Sequence, residues 1–153
     1  MEVKINFNID SSLTSDDIII HITAAKNSGQ LQKLLDDIQK LSKTKSSLIG
    51  FKNNEIYILP VQDITLFYSH DKKCYCQAHN DVYVIKKKLY ELEEILDKNQ
   101  FIRISNSHII NISFIKNFDL NYTGNILIKL LNGDTLNVSK RRISSILKFL
   151  KER

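Results

Sequence analysis

Polar and apolar positions alternate at the start of the chain. Val3, Ile5, Phe7 and Ile9 fall on one side of residues 2–9, and Glu2, Lys4, Asn6 and Asn8 on the other, which predicts a strand with one buried face. Ile18 to Thr23 is rich in β-branched residues and predicts a second strand, with His21 as a strand residue rather than a ligand. The period then becomes helical: Leu31, Leu34, Leu35, Ile38 and Leu41 form one stripe, with Lys33, Asp36, Asp37 and Lys40 opposite. Asn27 or Ser28 can cap this helix, and Gln30 is placed for a capping box from Asn27. From Leu48 the pattern is β: runs at 48–51, 55–59, 64–68, 73–78 and 82–85 are broken by Asn53-Asn54, Pro60 and Asn80-Asp81. A second helix is predicted over about 87–97, with Leu89, Leu92, Ile95 and Leu96 on one side. Strands follow at 115–120 and 125–131, and Asn132-Gly133 signals a type I′ hairpin into 134–138. A third helix is predicted from Ser139 as N-cap, striped by Ile143, Ile146, Leu147 and Leu150. The total is about ten short strands and three helices, mainly β in an α+β arrangement.

This pattern suggests two parts: residues 1–47 as a β-β-α extension and residues 48–153 as the main domain. A length of 153 residues and 42% hydrophobic content suffice for a real core. No apolar run approaches the roughly 18 residues of a membrane helix. The first residues do not form a signal peptide, and two cysteines make no disulfide framework. A cytoplasmic protein is expected.

Charge adds a clue that the net value of +5 conceals. Residues 1–50 and 51–138 each balance to zero. The entire excess comes from Lys140, Arg141, Arg142, Lys148, Lys151 and Arg153, set against Glu152 alone. A clustered basic segment is the footprint of a polyanionic partner, although solubilising helix faces also look like this.

No HExxH, CxxC or Ser/His/Asp spacing suggests catalysis. Cys74 and Cys76 lie about 7 Å apart on one face of a strand, and with His70 and His79 they could imitate a metal site. Zinc sites use turns and closed spacing instead, so neither metal nor cofactor is expected. A protein that is not an enzyme and takes no small-molecule substrate follows.

The aromatic residues do not interleave with basic ones in a single-strand stacking motif, and no pair of adjacent helices forms a helix-turn-helix. A DNA binder of this composition would insert loops into the grooves. Asn106 and Arg141 are the residue types that read adenine and guanine edges, and Lys72, Lys73 and Lys140 suit phosphates. Arg142 is expected to contribute more weakly and without sequence preference.

One stretch organises the rest: two apolar runs around the polar turn Ser105-Asn106-Ser107-His108. The turn could be no more than a capped connection. The order Phe101, Arg103, Ser105, Asn106, Ser107, Ile110, Asn111, then Ile115-Lys116, resembles the signature of LytTR-type DNA-binding domains. Three other segments match in sequence order: 56–64 with Val61-Gln62-Asp63-Ile64, Leu89-Tyr90-Glu91-Leu92-Glu93, and Asn132-Gly133 with Ser139-Lys140-Arg141. The resemblance covers residues 50–151, about two-thirds of the chain.

It implies an elongated, mostly β domain and a bacterial transcription regulator that binds duplex DNA at direct repeats through loops in the major groove. It also implies three DNA-contacting loop positions. They fall on Asn106, with Ser107 and His108 beside it; on Arg141, flanked by Lys140 and Arg142; and near Lys73 or Cys74. Histidine is often found at that last position. Cys74 puts a base contact there in doubt, and Lys72 and Lys73 would supply phosphate contacts instead. The first 47 residues are too few for a receiver domain, so the chain looks like the stand-alone type. Such regulators often sit beside a small membrane protein that restrains them. Direct repeats suggest a homodimer, joined through the extension; otherwise the extension docks on its own domain and the protein is a monomer until it meets DNA. The alternative is a protein-interaction module whose basic helix and extension bind an acidic partner, and RNA binding is a third reading.

Overall fold

The computed structural model describes residues 21–43, 47–121 and 123–152. The chain divides into two compact units, residues 1–35 and 36–153. The strand expected at 2–9 lies outside the described residues, as does most of the one at 18–23; residues 21–23 have irregular backbone.

Helix α1 spans Gly29–Lys43. Ser28 starts it, its Oγ accepting from the Leu31 N–H at 3.2 Å. Asn27 accepts from the Gln32 side chain rather than from Gln30. Leu31, Leu34, Leu35 and Ile38 are all half-buried.

Ten strands follow, as the hydrophobic pattern predicts: β1 Ser47–Lys52, β2 Glu55–Pro60, β3 Ile64–His70, β4 Lys73–Ala78, β5 Asp81–Ile85, β6 Phe101–Arg103, β7 His108–Asn111, β8 Ile115–Leu120, β9 Ile126–Leu130 and β10 Thr135–Asn137. Helix α2 spans Leu89–Ile95 and α3 spans Ile143–Lys151. The strands form a seven-stranded sheet, ordered β2-β1-β5-β4-β3-β7-β6, and a three-stranded sheet, β10-β9-β8; all pairings are antiparallel.

Strand β3 is buried on both faces, and a bulge sets which of its side chains share a face. The register shifts between Ile64 and Leu66, which breaks the simple alternation. Ile64 and Phe67 therefore share one core with Leu89, Leu92 and Leu96, beside Phe101. Leu66 enters the other core with Ile104, Ile110, Ile126, Ile128, Leu130 and Ile146. Each fully buried aliphatic side chain contributes about 1.5–3 kcal/mol by leaving water. Gly50 in β1 has a steric role: a Cβ there would lie 2.6 Å from a Leu59 methyl carbon.

Asn111 is the one fully buried polar side chain among the described residues. Its Nδ2 donates to the Ile64 carbonyl at 2.8 Å, and its Oδ1 accepts from the Ser113 N–H at 3.0 Å. It ties β7 to β3 and starts a 3-10 turn at Ile112–Phe114, where the sequence pattern suggests continued strand.

Two further expectations are corrected. Asn132-Gly133 does not form a type I′ turn, because only Gly133 has positive φ (94°). The Gly133 N–H bonds the Leu130 carbonyl, and the Leu130 N–H bonds the Asp134 carbonyl. This is a three-residue loop over 131–133 with glycine at its left-handed position, the next commonest hairpin. The last helix begins at Ile143, not after Ser139. A 3-10 turn over Lys140–Arg142 comes first.

Candidate nucleic-acid interface

Antiparallel order places three separate loops at one end of the large sheet. Strand β3 runs into the Asp71-Lys72 hairpin. Tyr68 pairs with His108, so the 104–107 turn lies beside it, and the Ser69 N–H donates to the Ser107 carbonyl at 2.9 Å. The Ser139 N–H donates to the Ile104 carbonyl at 2.9 Å, which brings the Lys140–Arg142 turn to the same end. The three loops picked out in the sequence thus meet in space.

Arg103 and Glu93 hold this end together. The Arg103 guanidinium donates to the Ser105 and Asn106 carbonyls, each at 2.8 Å, and to Glu93 Oε2 at 2.8 Å. The other Glu93 oxygen lies 3.4 Å from Arg142 Nη1. One carboxylate on α2 therefore links the strut under the 104–107 turn to the start of α3. Arg103 is only 12% exposed, so its guanidinium is shielded from water, while Glu93 at 36% keeps part of its carboxylate solvated. Sequence reading left Glu93 without this role, because its partners lie 10 and 49 residues away in the chain.

The side chains at the loop tips are treated differently. Ser105 caps the turn, its Oγ accepting from the Ser107 N–H at 3.2 Å. Asn106 is exposed and its side chain has no partner among the described residues; only its carbonyl is engaged, by Arg103. Lys140 and Arg141 are also exposed, and Arg141 makes no ion pair with any described residue, whereas Arg142 is half-buried against Glu93. His108 begins β7, one residue past the turn. Its Nδ1 lies 2.9 Å from Ser107 Oγ, its ring stacks on Tyr68, and burial holds its pKa below the usual value. It acts as a wall of the turn rather than a free contact.

On the β3–β4 hairpin, Lys72 and Lys73 are exposed. Cys74 is not: its thiol faces the core beside Cys76, and burial pushes the two pKa values up to about 11 and about 12. Both are kept as protonated thiols. No cluster of three or more metal-ligating side chains occurs among the described residues.

A groove of about 640 Å³ opens between the hairpin, the residues leading into α2, and Asn106. Lys72, Lys73, Lys86, Lys87, Lys88 and Arg103 line it. The stretch Lys86-Lys87-Lys88 was readable in the sequence as three consecutive cations. A net charge of zero over 51–138 hid it.

No described helix is long and apolar enough to cross a membrane. Comparison with known proteins agrees with the architecture. An uncharacterized HTH-type transcriptional regulator of Staphylococcus aureus (strain NCTC 8325 / PS 47) is 32% identical over 144 residues, covering 94% of this chain and 95% of the relative. A regulator of the same description from the bovine strain RF122 / ET3-1 is 31% identical over the same share. Among the described residues of this chain, strands separate every pair of helices, so no helix-turn-helix is present. The solved LytTr DNA-binding domain of a Bacillus cereus protein superposes with a TM-score of 0.66 at 28% identity, covering 69% of this chain and 97% of that one. The profile of the LytTr DNA-binding domain matches residues 54–151. The chain belongs to the LytTR DNA-binding domain family.

Proposed function

We propose that this protein is a cytoplasmic transcription regulator that reads duplex DNA by inserting loops into the major groove of direct-repeat sites. The observation that carries the reading is the contrast at the loop tips. Asn106 and Arg141 are exposed and uncommitted, while Arg103, Ser105, Glu93 and Arg142 do the structural work of holding their loops. Asn106 offers the paired donor and acceptor that match an adenine edge, and Arg141 the fork that matches guanine. Lys72, Lys73 and Lys140 would fix the register on the phosphates. Selection from random duplexes tests this. An enriched repeat is expected, and Asn106→Ala and Arg141→Ala should each relax preference at a different position. Enrichment of no sequence overturns the reading.

We further propose that two copies bind together through residues 1–47. Support comes from α1, whose apolar stripe of Leu31, Leu34, Leu35 and Ile38 is only half-buried. Sedimentation of the full chain at tens of micromolar should give a dimer that Leu34→Lys with Ile38→Lys converts to monomer. A monomeric wild type overturns this part alone.

A further inference from the structure

We propose that the groove between the β3–β4 hairpin and residues 86–88 is a second seat for the DNA phosphodiester backbone, with Lys86, Lys87 and Lys88 as phosphate ligands. This rests on the DNA-binding reading above and extends it from the loop tips to Lys86, Lys87 and Lys88 on the wall of the adjoining groove.

Lys72, Lys73, Lys86, Lys87 and Lys88 all border the groove, and none is within ion-pair distance of a carboxylate among the described residues. One acidic residue, Glu91, also lines the groove, its carboxylate accepting the Lys88 backbone N–H at 2.7 Å, so the five lysines face a single carboxylate there. Lys86 is held over the Phe51 ring at 4.4 Å. Ammonium groups gathered in such excess over carboxylate repel one another, and a polyanion removes that repulsion while releasing its own counterions.

Lys72 has φ of 64°. Glycine takes that left-handed conformation freely, and asparagine tolerates it, whereas lysine rarely does. A strained lysine at a hairpin tip points to a use for its side chain. Lysine carries three donors on a flexible stem and no acceptor, which suits a phosphate oxygen and carries no base preference. The groove borders Asn106, so a strand whose bases meet that turn has its backbone within reach.

The test uses the full chain and two duplexes, one carrying the selected repeat and one scrambled. Affinity is measured by fluorescence anisotropy between 50 and 300 mM NaCl. For Lys87→Gln with Lys88→Gln, the log–log salt slope should become shallower by about 0.9 for each phosphate no longer neutralised, equally on both duplexes, with the preference ratio unchanged. Both side chains are exposed, and an unchanged thermal midpoint will show that the fold is intact. An unaltered slope, while Asn106→Ala still relaxes preference, overturns the groove and leaves the DNA reading standing. A wild type that binds neither duplex overturns both. Titration with inorganic phosphate, followed by the amide signals of residues 86–88, covers the remaining source of anion. Saturation at millimolar phosphate that duplex DNA does not compete away also overturns the proposal.

Discussion

At one end of the seven-stranded sheet the hairpin tips are Asn53-Asn54 and His79-Asn80; at the other the tip is Asp71-Lys72. All six residues have positive φ, so the three turns share one backbone shape. Their chemistry differs. At the first end the lysine has a carboxylate partner: Lys52 pairs with Asp81, and His79 Nε2 lies 3.1 Å from Asp63. At the second, His70 meets Asp71 at 3.3 Å, but Lys72, Lys73 and Lys86 to Lys88 have no carboxylate within ion-pair distance among the described residues. The backbone of a two-residue hairpin is thus indifferent to function. What separates the ends is which side chains the protein keeps uncommitted, and the predictions bear on that difference.

The largest effect is expected at Arg141. Arg141→Ala should remove about 3 kcal/mol of specific binding and leave thermal stability unchanged, because the side chain pairs with no described residue. Arg142→Ala should weaken binding to all sequences alike, since it loosens the contact to Glu93. Titration of both variants at one salt concentration decides between them. A greater loss of sequence preference at Arg142 than at Arg141 would reverse their roles.

Asn106→Ala comes next, at about 2 kcal/mol with relaxation of one base position. A capping role makes the opposite forecast: a lower thermal midpoint with sequence preference intact. Because Ser105 and Arg103 already satisfy the turn, the midpoint should stay within a degree or two.

Lys72→Gly separates folding from function within a single residue. Relief of the left-handed strain should stabilise the fold by about 1 kcal/mol, while removal of the ammonium weakens DNA binding. Asp81→Asn, at the end where the lysine has a carboxylate partner, should leave DNA affinity where it was. Equal losses of affinity from the two variants would mean that the ends are not functionally distinct.

The strands were legible because Cys74, Cys76 and Ala78 alternate with Lys73, Tyr75 and Gln77, because 82–85 is an unbroken run of β-branched and aromatic residues, and because Asn marks the turns at 53–54 and 80. The loops of Asn106 and Arg141 were legible through family resemblance and residue type. Other features depended on contacts the linear order does not display. The residues ahead of α3 take 3-10 geometry because the Arg142 N–H bonds the Ser139 carbonyl. The glycine hairpin has three loop residues, 131–133, and one positive φ, at Gly133, where a type I′ hairpin has two loop residues that are both left-handed. Cys74, aligned with a position where the resemblance suggests a histidine contact, follows the alternation of β4 into the core with Cys76 and Ala78. Glu93 acquires its role only once β6 and the start of α3 are folded against α2.

The smallest effect concerns His108, which stands between the two kinds of residue: it borders the exposed turn, yet its ring is half-buried. Burial disfavours the imidazolium, so the folded state holds its pKa below the usual value while the unfolded chain titrates normally, near about 6.5. Above that value both states carry a neutral ring, and the contribution to stability is fully present. As pH falls through about 6.5, the unfolded chain takes up a proton that the folded ring resists, and stability declines until the lower folded pKa is passed. Protonation would also end any acceptance by Nδ1 from Ser107 Oγ, 2.9 Å away, and so loosen the wall of the 104–107 turn. His108→Gln, which cannot titrate, should show a shallower fall in thermal midpoint between pH 7.5 and 5.5 than the wild type. Specific DNA affinity should show the same ordering, because the turn that carries Asn106 leans on this ring. Superimposable pH profiles for the two proteins would mean that His108 is not held neutral by its surroundings, and its place would then be with the uncommitted side chains of this end rather than with the residues that hold it.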